Sequence, residues 1–370
     1  MRVLVVNAGS SSLKLRLVDA DDRVAGHADL PAVGEVSAED ITAALAAMGP
    51  FDAVGHRVVH GGERFRQPVA VDPVVRRALD ELTDLAPLHQ PKSLAALDAV
   101  TAAAPEVPAV ACFDTAFHAT LRPEAATYAV PAEWRERFGL RRYGFHGLSH
   151  AYASRRAIEL VSGSGHPARR VVTCHLGAGA SLAAVHEGLC VDTTMGFTPL
   201  EGLTMATRSG TVDPGALLWL ITHHGLDPDE VAEALEHRSG LLALAGTADM
   251  AEVVGRSDAG DETAGLALAQ YLHRLRAGIC AMAASLGGLD VLVFTGGVGE
   301  NAPVVRAAAA DALPFLGLAV DPAANAAVGV HPGDPTGVWD IGAPGAAARA
   351  MVVAAREDIE IARGVRALLT

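Results

Sequence analysis

Two short segments half a chain apart share one pattern, and that repetition limits what the chain can fold into. Residues Val3–Leu17, VLVVNAGSSSLKLRL, pass from an apolar stretch through a small polar turn into apolar residues alternating with Lys14 and Arg16. Such a pattern reads as a buried strand, a tight turn and a second strand. Residues Val171–His186, VVTCHLGAGASLAAVH, repeat the plan around a turn of Gly177, Ala178, Gly179 and Ser181. Turns this lightly furnished let backbone N–H and hydroxyl groups approach an anion closely, and Lys14 stands just beyond the first as a point charge suited to phosphate. An ordinary hairpin with a solvated lysine explains the first segment equally well on its own. Two such hairpins suggest a duplicated domain in which each half offers a cradle to one ligand, with a polyphosphate as the natural candidate.

A chain of 370 residues is long enough for about two domains, each with its own core. Hydrophobic residues make up 50% of it and aromatics only 4%, so Ala, Val and Leu must do most of the packing. The formal net charge of −14 argues against a nucleic-acid partner, which needs a basic surface. Any phosphate contact therefore falls to isolated Arg and Lys residues near glycines. No apolar run approaches the ~20 residues that cross a bilayer; the longest candidate, Leu286–Thr295, is broken by Gly287, Gly288 and Asp290. The apolar start at Met1 ends at Asn7, too early for a signal peptide. Four widely spaced cysteines without a C-x-x-C pair read as reduced thiols of a cytoplasmic protein.

Along the chain, 19–49 reads as a short variable region. Strand signals cover Phe51–Val59, ending in HRVVHGG, and Val107–Phe113, which delivers Asp114 at its end. Helical periodicity covers Val74–Leu85 and Lys92–Ala103. Arg141–His150, RRYGFHGLSH, is a glycine-punctuated loop leading into a helix over 151–161, and the domain boundary falls near it. Met195–Pro214 is a long Gly/Thr/Pro-rich loop, of the kind that usually carries function. Helices are expected over 215–224, 228–238 and 261–286. A buried strand over 291–295 then opens into Gly296–Asn301, expected as a tight turn before a helix over 303–312. Alternating strands and helices make this an α/β chain.

The strand–turn–helix at Gly296–Asn301 suits phosphate or ribose at a helix N-terminus, although it is neither a Walker A motif nor a G-x-G-x-x-G fingerprint. Arg57 in HRVVHGG and Arg208 in TRSG stand beside glycines; an arginine that stabilises a phosphoryl-transfer transition state is worth about 10³–10⁵ in rate. His56/His60 and His146/His150 have i,i+4 spacing but no accompanying third ligand, so they read as structural histidines. Asp114, in FDTAFH, either holds a proton or a metal or caps the next helix.

Nine motifs follow one another in order: NAGSSSLK (7–14), GHRVVHGG (55–62), APLHQP (86–91), FDTAFH (113–118), YGFHGLSH (143–150), HLGAGAS (175–181), DTTMGFTPLEGLTMATRSGTVDP (192–214), SGLLALAG (239–246) and FTGGVGEN (294–301). On these motifs the chain resembles the acetate kinase family, within the acetate and sugar kinase, heat-shock protein and actin superfamily, over essentially its full length. The resemblance implies a two-lobed, duplicated ribonuclease H-like (actin-like ATPase) fold with mixed sheets flanked by helices. One lobe would span 1–145, with 350–370 returning to it, and the other 146–349. It implies reversible phosphorylation of a short-chain carboxylate by ATP, with Mg²⁺ or alternatively Mn²⁺, in a homodimer that engages neither nucleic acid nor membrane.

Carried over by motif, Asp114, His146, Arg208 and Arg57 are the catalytic residues, with His146 and Arg208 stabilising charge on the transferring group. Arg57 would also hold the substrate carboxylate, within an apolar wall of Val59, Leu88, Phe145 and Pro199. Asn7 and Glu357 belong to the magnesium environment. The ATP/ADP site would draw on Ser10, Ser12 and Lys14 from the first hairpin and on His175, Leu176, Gly177, Ala178 and Gly179 from the second. Asp249, Met250 and Ala251, with Gly297, Val298, Gly299, Glu300 and Asn301, would complete it. Two positions depart from the family pattern: Ala178 replaces an Asn, and Ala251 replaces the Arg of an Asp-x-Arg pattern. Losing a hydrogen bond to a charged group costs ~1.5–3 kcal/mol, so these changes bear on the phosphoryl donor rather than on the reaction class. A propionate or butyrate kinase and a non-catalytic nucleotide-binding relative are the competing readings.

Overall fold

The computed structural model describes residues 1–9, 12–32, 36–87, 89–163, 168–329 and 337–370. By contact, the chain groups into two compact units. One comprises Met1–Ala119, Phe145–Tyr152 and Arg356–Thr370, the other Thr120–Gly144 and Ala153–Ala355.

The first unit is built on six strands: β1 (Val3–Ala8), β2 (Ser12–Val18), β3 (Val24–Pro31), β4 (Ala53–Val58), β5 (Val69–Ala70) and β6 (Ala109–Phe113). Their spatial order is β3-β2-β1-β4-β6-β5. The β1–β4 and β4–β6 pairs are parallel, and the other three antiparallel. Strand β1 is apolar and buried from Val3 to Val6 because helices cover both its faces there. Val3 and Val5 pack with Ile361, Ala362 and Val365 of the helix Glu357–Leu369. Leu4 and Val6 turn the other way, toward Ala96 and Val100 of the helix Gln90–Ala103 and Ile41 and Leu45 of the helix Ala38–Met48. Each fully buried side chain of this kind contributes about 1.5–3 kcal/mol.

The second unit repeats the plan with β7 (Arg170–Leu176), β8 (Ala180–His186), β9 (Leu189–Thr193), β10 (Val291–Thr295), β11 (Val338–Asp340) and β12 (Arg349–Val353). Its order, β9-β8-β7-β10-β12-β11, and its sequence of antiparallel and parallel pairs match the first sheet strand for strand. The duplication suggested by two hairpins therefore extends to both whole sheets. The 25-residue helix Glu262–Leu286 packs on β7, β8 and β9; Asp261 caps its first turn and Gly287 ends it in the left-handed region.

Four readings of the sequence need correction. The region 19–49 holds β3 and the helix Ala38–Met48, whose N-terminus is a capping box between Ser37 and Asp40. The helix expected over 151–161 begins at Gly147, whose N–H donates to the Asp114 carbonyl at 2.9 Å. Gly296–Asn301 is itself a helical turn rather than an irregular one. Two further helices, Gly240–Ala245 and Met250–Asp258, precede the long one. No helix of the described residues is long and apolar enough to cross a membrane.

Candidate functional site

The ends of the first sheet gather charge in an otherwise apolar unit. Arg57 on β4 donates through Nε to Asp114 Oδ1 at 3.0 Å and through Nη2 to Oδ2 at 2.5 Å, a bidentate pair with the carboxylate that follows β6. Its Nη1 donates to Asn7 Oδ1 on β1 at 3.2 Å. Asn7 Nδ2 in turn donates to Glu357 Oε2 at 3.3 Å, and Glu357 lies 3.7 Å from Arg57 Nε. Asp114 is only 1% exposed. Burial raises its pKa above the ordinary carboxylate value, and Arg57 offsets part of that rise. The two carboxylates in turn keep Arg57 charged despite its burial.

Backbone contacts hold this cluster from below. The Gly147 bond to the Asp114 carbonyl fixes the turn 145–147, in which His146 adopts a left-handed φ of 56°. His118 Nε2 donates to the Phe145 carbonyl at 2.9 Å, and the His60 and Phe145 rings meet edge to face. Lys14 on β2 sits directly across from Asn7 and so shares its sheet face. Asn7 and Glu357 offer hard oxygen donors held together by their own hydrogen bond, a donor set that suits Mg²⁺, which keeps most of its waters. Among the described residues, no group of three or more His, Cys, Asp or Glu forms an all-protein metal cage.

In the second unit, the turn after β7 faces a cavity of about 570 Å³. Gly177 N–H donates to the Gly179 carbonyl at 3.0 Å, and the Ala178 carbonyl accepts from Ala206 at 3.1 Å. Beside them lies the helix Gly296–Asn301. Gly296 has a φ of 80°, and a Cβ there would lie 2.8 Å from the Leu176 carbonyl oxygen, so only glycine fits. Glu300 Oε1 accepts from Gly296 N–H at 3.1 Å and from Ala355 N–H at 2.9 Å. The buried Arg306 donates to the carbonyls of Gly299 and Glu300 at 2.9 and 2.7 Å. Both ends of this glycine-rich turn are thus satisfied by side chains.

The long loop between β9 and the helix Pro214–His224 is pinned at two places. Tyr128 Oη donates to Glu201 Oε2 at 2.6 Å, and Arg142 donates to Glu201 Oε1 and to the carbonyls of Thr194 and Met195. Further along, Arg208 Nε lies 3.0 Å from Glu236 Oε2 on the helix Pro228–His237. Gly240, at φ 63°, passes so close to the Met205 and Arg208 carbonyls that a Cβ would overlap both.

The profile of the Acetokinase family matches residues 31–363. The chain is 48% identical to an acetate kinase of Leifsonia xyli, over 98% of this chain and 97% of that protein. Among solved structures it superposes on acetate kinase of Porphyromonas gingivalis with a TM-score of 0.88 and 34% identity, covering 100% of both chains. A propionate kinase from Francisella tularensis gives 0.87 and 32% over 98% of each.

The chain belongs to the acetokinase family.

The residues implied by the acetokinase motifs separate into several groups. Asn7, Arg57, Asp114 and Glu357 form the one charged cluster just described. Val59 and Phe145 are buried in the same unit, whereas Pro199 and Arg208 lie on the long loop of the other. Ser12 opens β2, its carbonyl accepting from Gly9 N–H at 2.8 Å. Ser10 and Leu88 fall outside the described residues. Gly177, Ala178, Asp249, Met250, Ala251, Gly297, Val298 and Asn301 all line the cavity of the second unit. His175, Leu176, Gly179, Gly299 and Glu300 do not; the Glu300 carboxylate binds backbone instead. Sequence reading missed Tyr271, Leu241 and Val254 in the cavity wall, as well as the Tyr128–Arg142–Glu201 clamp. Tyr271 sits at helical spacing within an apolar stripe, which reads as plain core.

Proposed function

We propose that this chain catalyses the reversible transfer of the γ-phosphoryl group of ATP to acetate, giving acetyl phosphate and ADP. The observation that carries the reading is the Arg57 fork at the end of a buried sheet. Three of its N–H groups are engaged by Asp114 and Asn7, and the remaining donors of the guanidinium suit a carboxylate. Such a cation orients a small acid without covalent chemistry. In the proposed step an acetate oxygen forms a bond to the γ-phosphorus as the bond to the β–γ bridging oxygen breaks, and ADP leaves with that electron pair. His146 and Arg208 would stabilise the charge on the transferring group, and Lys14 the donor phosphates. Asn7 and Glu357 would hold Mg²⁺, which would supply charge neutralisation to the donor phosphates.

Purified protein with acetate, ATP and Mg²⁺ should form acetyl phosphate that hydroxylamine traps as the hydroxamate. No product from acetate, propionate or butyrate would overturn the proposal. The likeness to a propionate kinase structure makes chain length the second question, and acetate is expected to give the highest kcat/KM of the three acids. A homodimer belongs to the same proposal. The helix Pro214–His224, GALLWLI in its middle, buries none of its side chains, with Leu218 60% and Trp219 52% exposed. An apolar helix left uncovered in this way calls for a partner surface, and we assign it to a second copy. Light scattering should give twice the chain mass, and Trp219→Lys should shift it toward the monomer.

A further inference from the structure

The last four carbonyls of an α-helix have no partner within it, and the helix Pro228–His237 gives two of its own to the loop that carries Arg208. The Leu235 carbonyl accepts from Ser209 N–H at 3.0 Å, and the Glu236 carbonyl accepts from Thr207 Oγ1 at 2.9 Å. Ser239, just past the helix, donates its N–H to the Thr207 carbonyl at 2.9 Å and its hydroxyl to the Ala234 carbonyl at 2.8 Å. The residues on either side of Arg208 are therefore tied to one helix end. The Arg208 carbonyl itself accepts from Met205 N–H at 3.2 Å.

These bonds fix the backbone, but an arginine side chain has several rotatable bonds beyond it. Glu236 acts on that remainder. Its Oε2 lies 3.0 Å from Arg208 Nε, and the two side chains are only 20% and 19% exposed. Local electrostatics disfavours a carboxylate at this position. Glu236 is the last residue but one of its helix, where the negative end of the macrodipole repels an anion. An ion pair at the rim of a fold contributes little to stability, so stability alone does not account for it. Residues that break a local rule in this way concentrate at functional sites.

We infer that Glu236 is the positioning residue of Arg208, an assignment that rests on the phosphoryl-transfer reading above. By engaging Nε it sets the direction of the guanidinium, so that the charge meant for the transferring group is in place before reaction. Glu236→Ala should lower kcat about 10–100-fold, the cost of a misplaced group. KM for ATP and for acetate should each stay within about threefold, because only a transition-state interaction is lost. Glu236→Gln keeps the reach and an acceptor for Nε, and should return kcat to within about fivefold of the parent. Glu236→Asp keeps the charge one methylene short of Nε and should behave like the alanine variant. All three should melt within about 3 °C of the parent. In an Arg208→Ala background, slower by about 10³ or more, adding Glu236→Ala should cost less than about twofold, since no guanidinium is left to position.

Equal losses from Glu236→Ala in both backgrounds would mean that Glu236 acts by another route. An unchanged kcat, or a loss carried by KM or by the melting temperature, would make the ion pair merely structural. If Arg208→Ala keeps the parent rate, the role of Arg208 falls together with that of Glu236. In each of these cases acyl phosphate still forms and the kinase reading stands. Failure of the unaltered chain to form acyl phosphate would instead remove the kinase reading, and this assignment with it.

Discussion

In the first sheet the strands turn between Ala8 and Leu13, and the pair one step in from the turn is Asn7 opposite Lys14; in the second they turn between Leu176 and Ala180, and the matching pair is His175 opposite Ser181. Following the register sideways carries the comparison across each sheet. Val6 pairs with His56 in one, and Cys174 with Phe294 in the other, so Arg57 corresponds to Thr295. One strand further, Val58 pairs with Phe113 and Phe294 with Val352, which sets Asp114 against Ala355. One topology has thus been furnished twice: with a bidentate ion pair and a lysine in the first unit, and with small or neutral groups beside a carbon-walled cavity in the second. The shared backbone fixes where strand ends fall, and the side chains at those ends decide whether a sheet handles charge or a flat apolar group.

The sharpest way to break this comparison is to remove the ion pair. Asp114→Ala should lower kcat/KM by at least about 10³. It should also destabilise the protein by about 3–5 kcal/mol, because a buried guanidinium is left without its carboxylate. The matching change, Thr295→Val, should cost less than about threefold in activity and nothing in stability, since Thr295 Oγ1 is buried with no partner among the described residues. Equal losses in urea unfolding and in the hydroxamate assay would show that the two strand ends do the same work. Next in size, Lys14→Ala should reduce kcat/KM for ATP about 10–100-fold, the worth of a hydrogen bond from a charged donor, and Ser181→Ala less than about threefold. Smaller still, Ala178→Asn adds a polar side chain to the second turn. It should improve the ATP KM about three- to tenfold; no change would mean that the second turn contributes backbone alone.

Much of this asymmetry could be read from the sequence because both hairpins are local objects: period-two alternation and a glycine-led turn lie within a dozen or so residues. Asp114 at a strand end and the nine ordered motifs were legible for the same reason. Strand β3 was not, because its edge position leaves alternate residues exposed and its sequence, VAGHADLP, mixes polar and turn-forming residues. The helix Ala38–Met48 did carry a signal, Ser37 followed three residues later by Asp40 ahead of an apolar run. GGVGEN has poor helix propensity and becomes helical through Glu300 and Arg306, contacts that local pattern cannot supply. The same holds for Arg142, which reaches Glu201 across 59 residues. Such long-range polar contacts leave little local trace, so the clamp on the long loop appears only in three dimensions.

Histidine burial gives the smallest and most selective test of the difference between the units. His56, His60 and His118 all lie in the first unit, and burial holds their pKa values at about 3, 4 and 4, below the ordinary 6.5. Asp98 acts upward on His56 without overcoming that burial. The folded state therefore keeps these rings neutral where the unfolded chain protonates them. Below pH 6.5 the unfolded state binds more protons, so stability is full above that value and falls as pH drops toward 3–4. Among the described residues the second unit buries no histidine, yet it holds all three tryptophans, Trp134, Trp219 and Trp339. In urea at pH 6, far-UV dichroism, which sees both units, should begin to fall before tryptophan fluorescence does, and at pH 7.5 the two curves should lie closer together. Replacing His56 by Leu should narrow the gap at pH 6, since one ring contributes less than about 1.4 kcal/mol per pH unit. A gap that ignores pH, or fluorescence that moves first in acid, would mean that the charge-handling unit is not the acid-sensitive one.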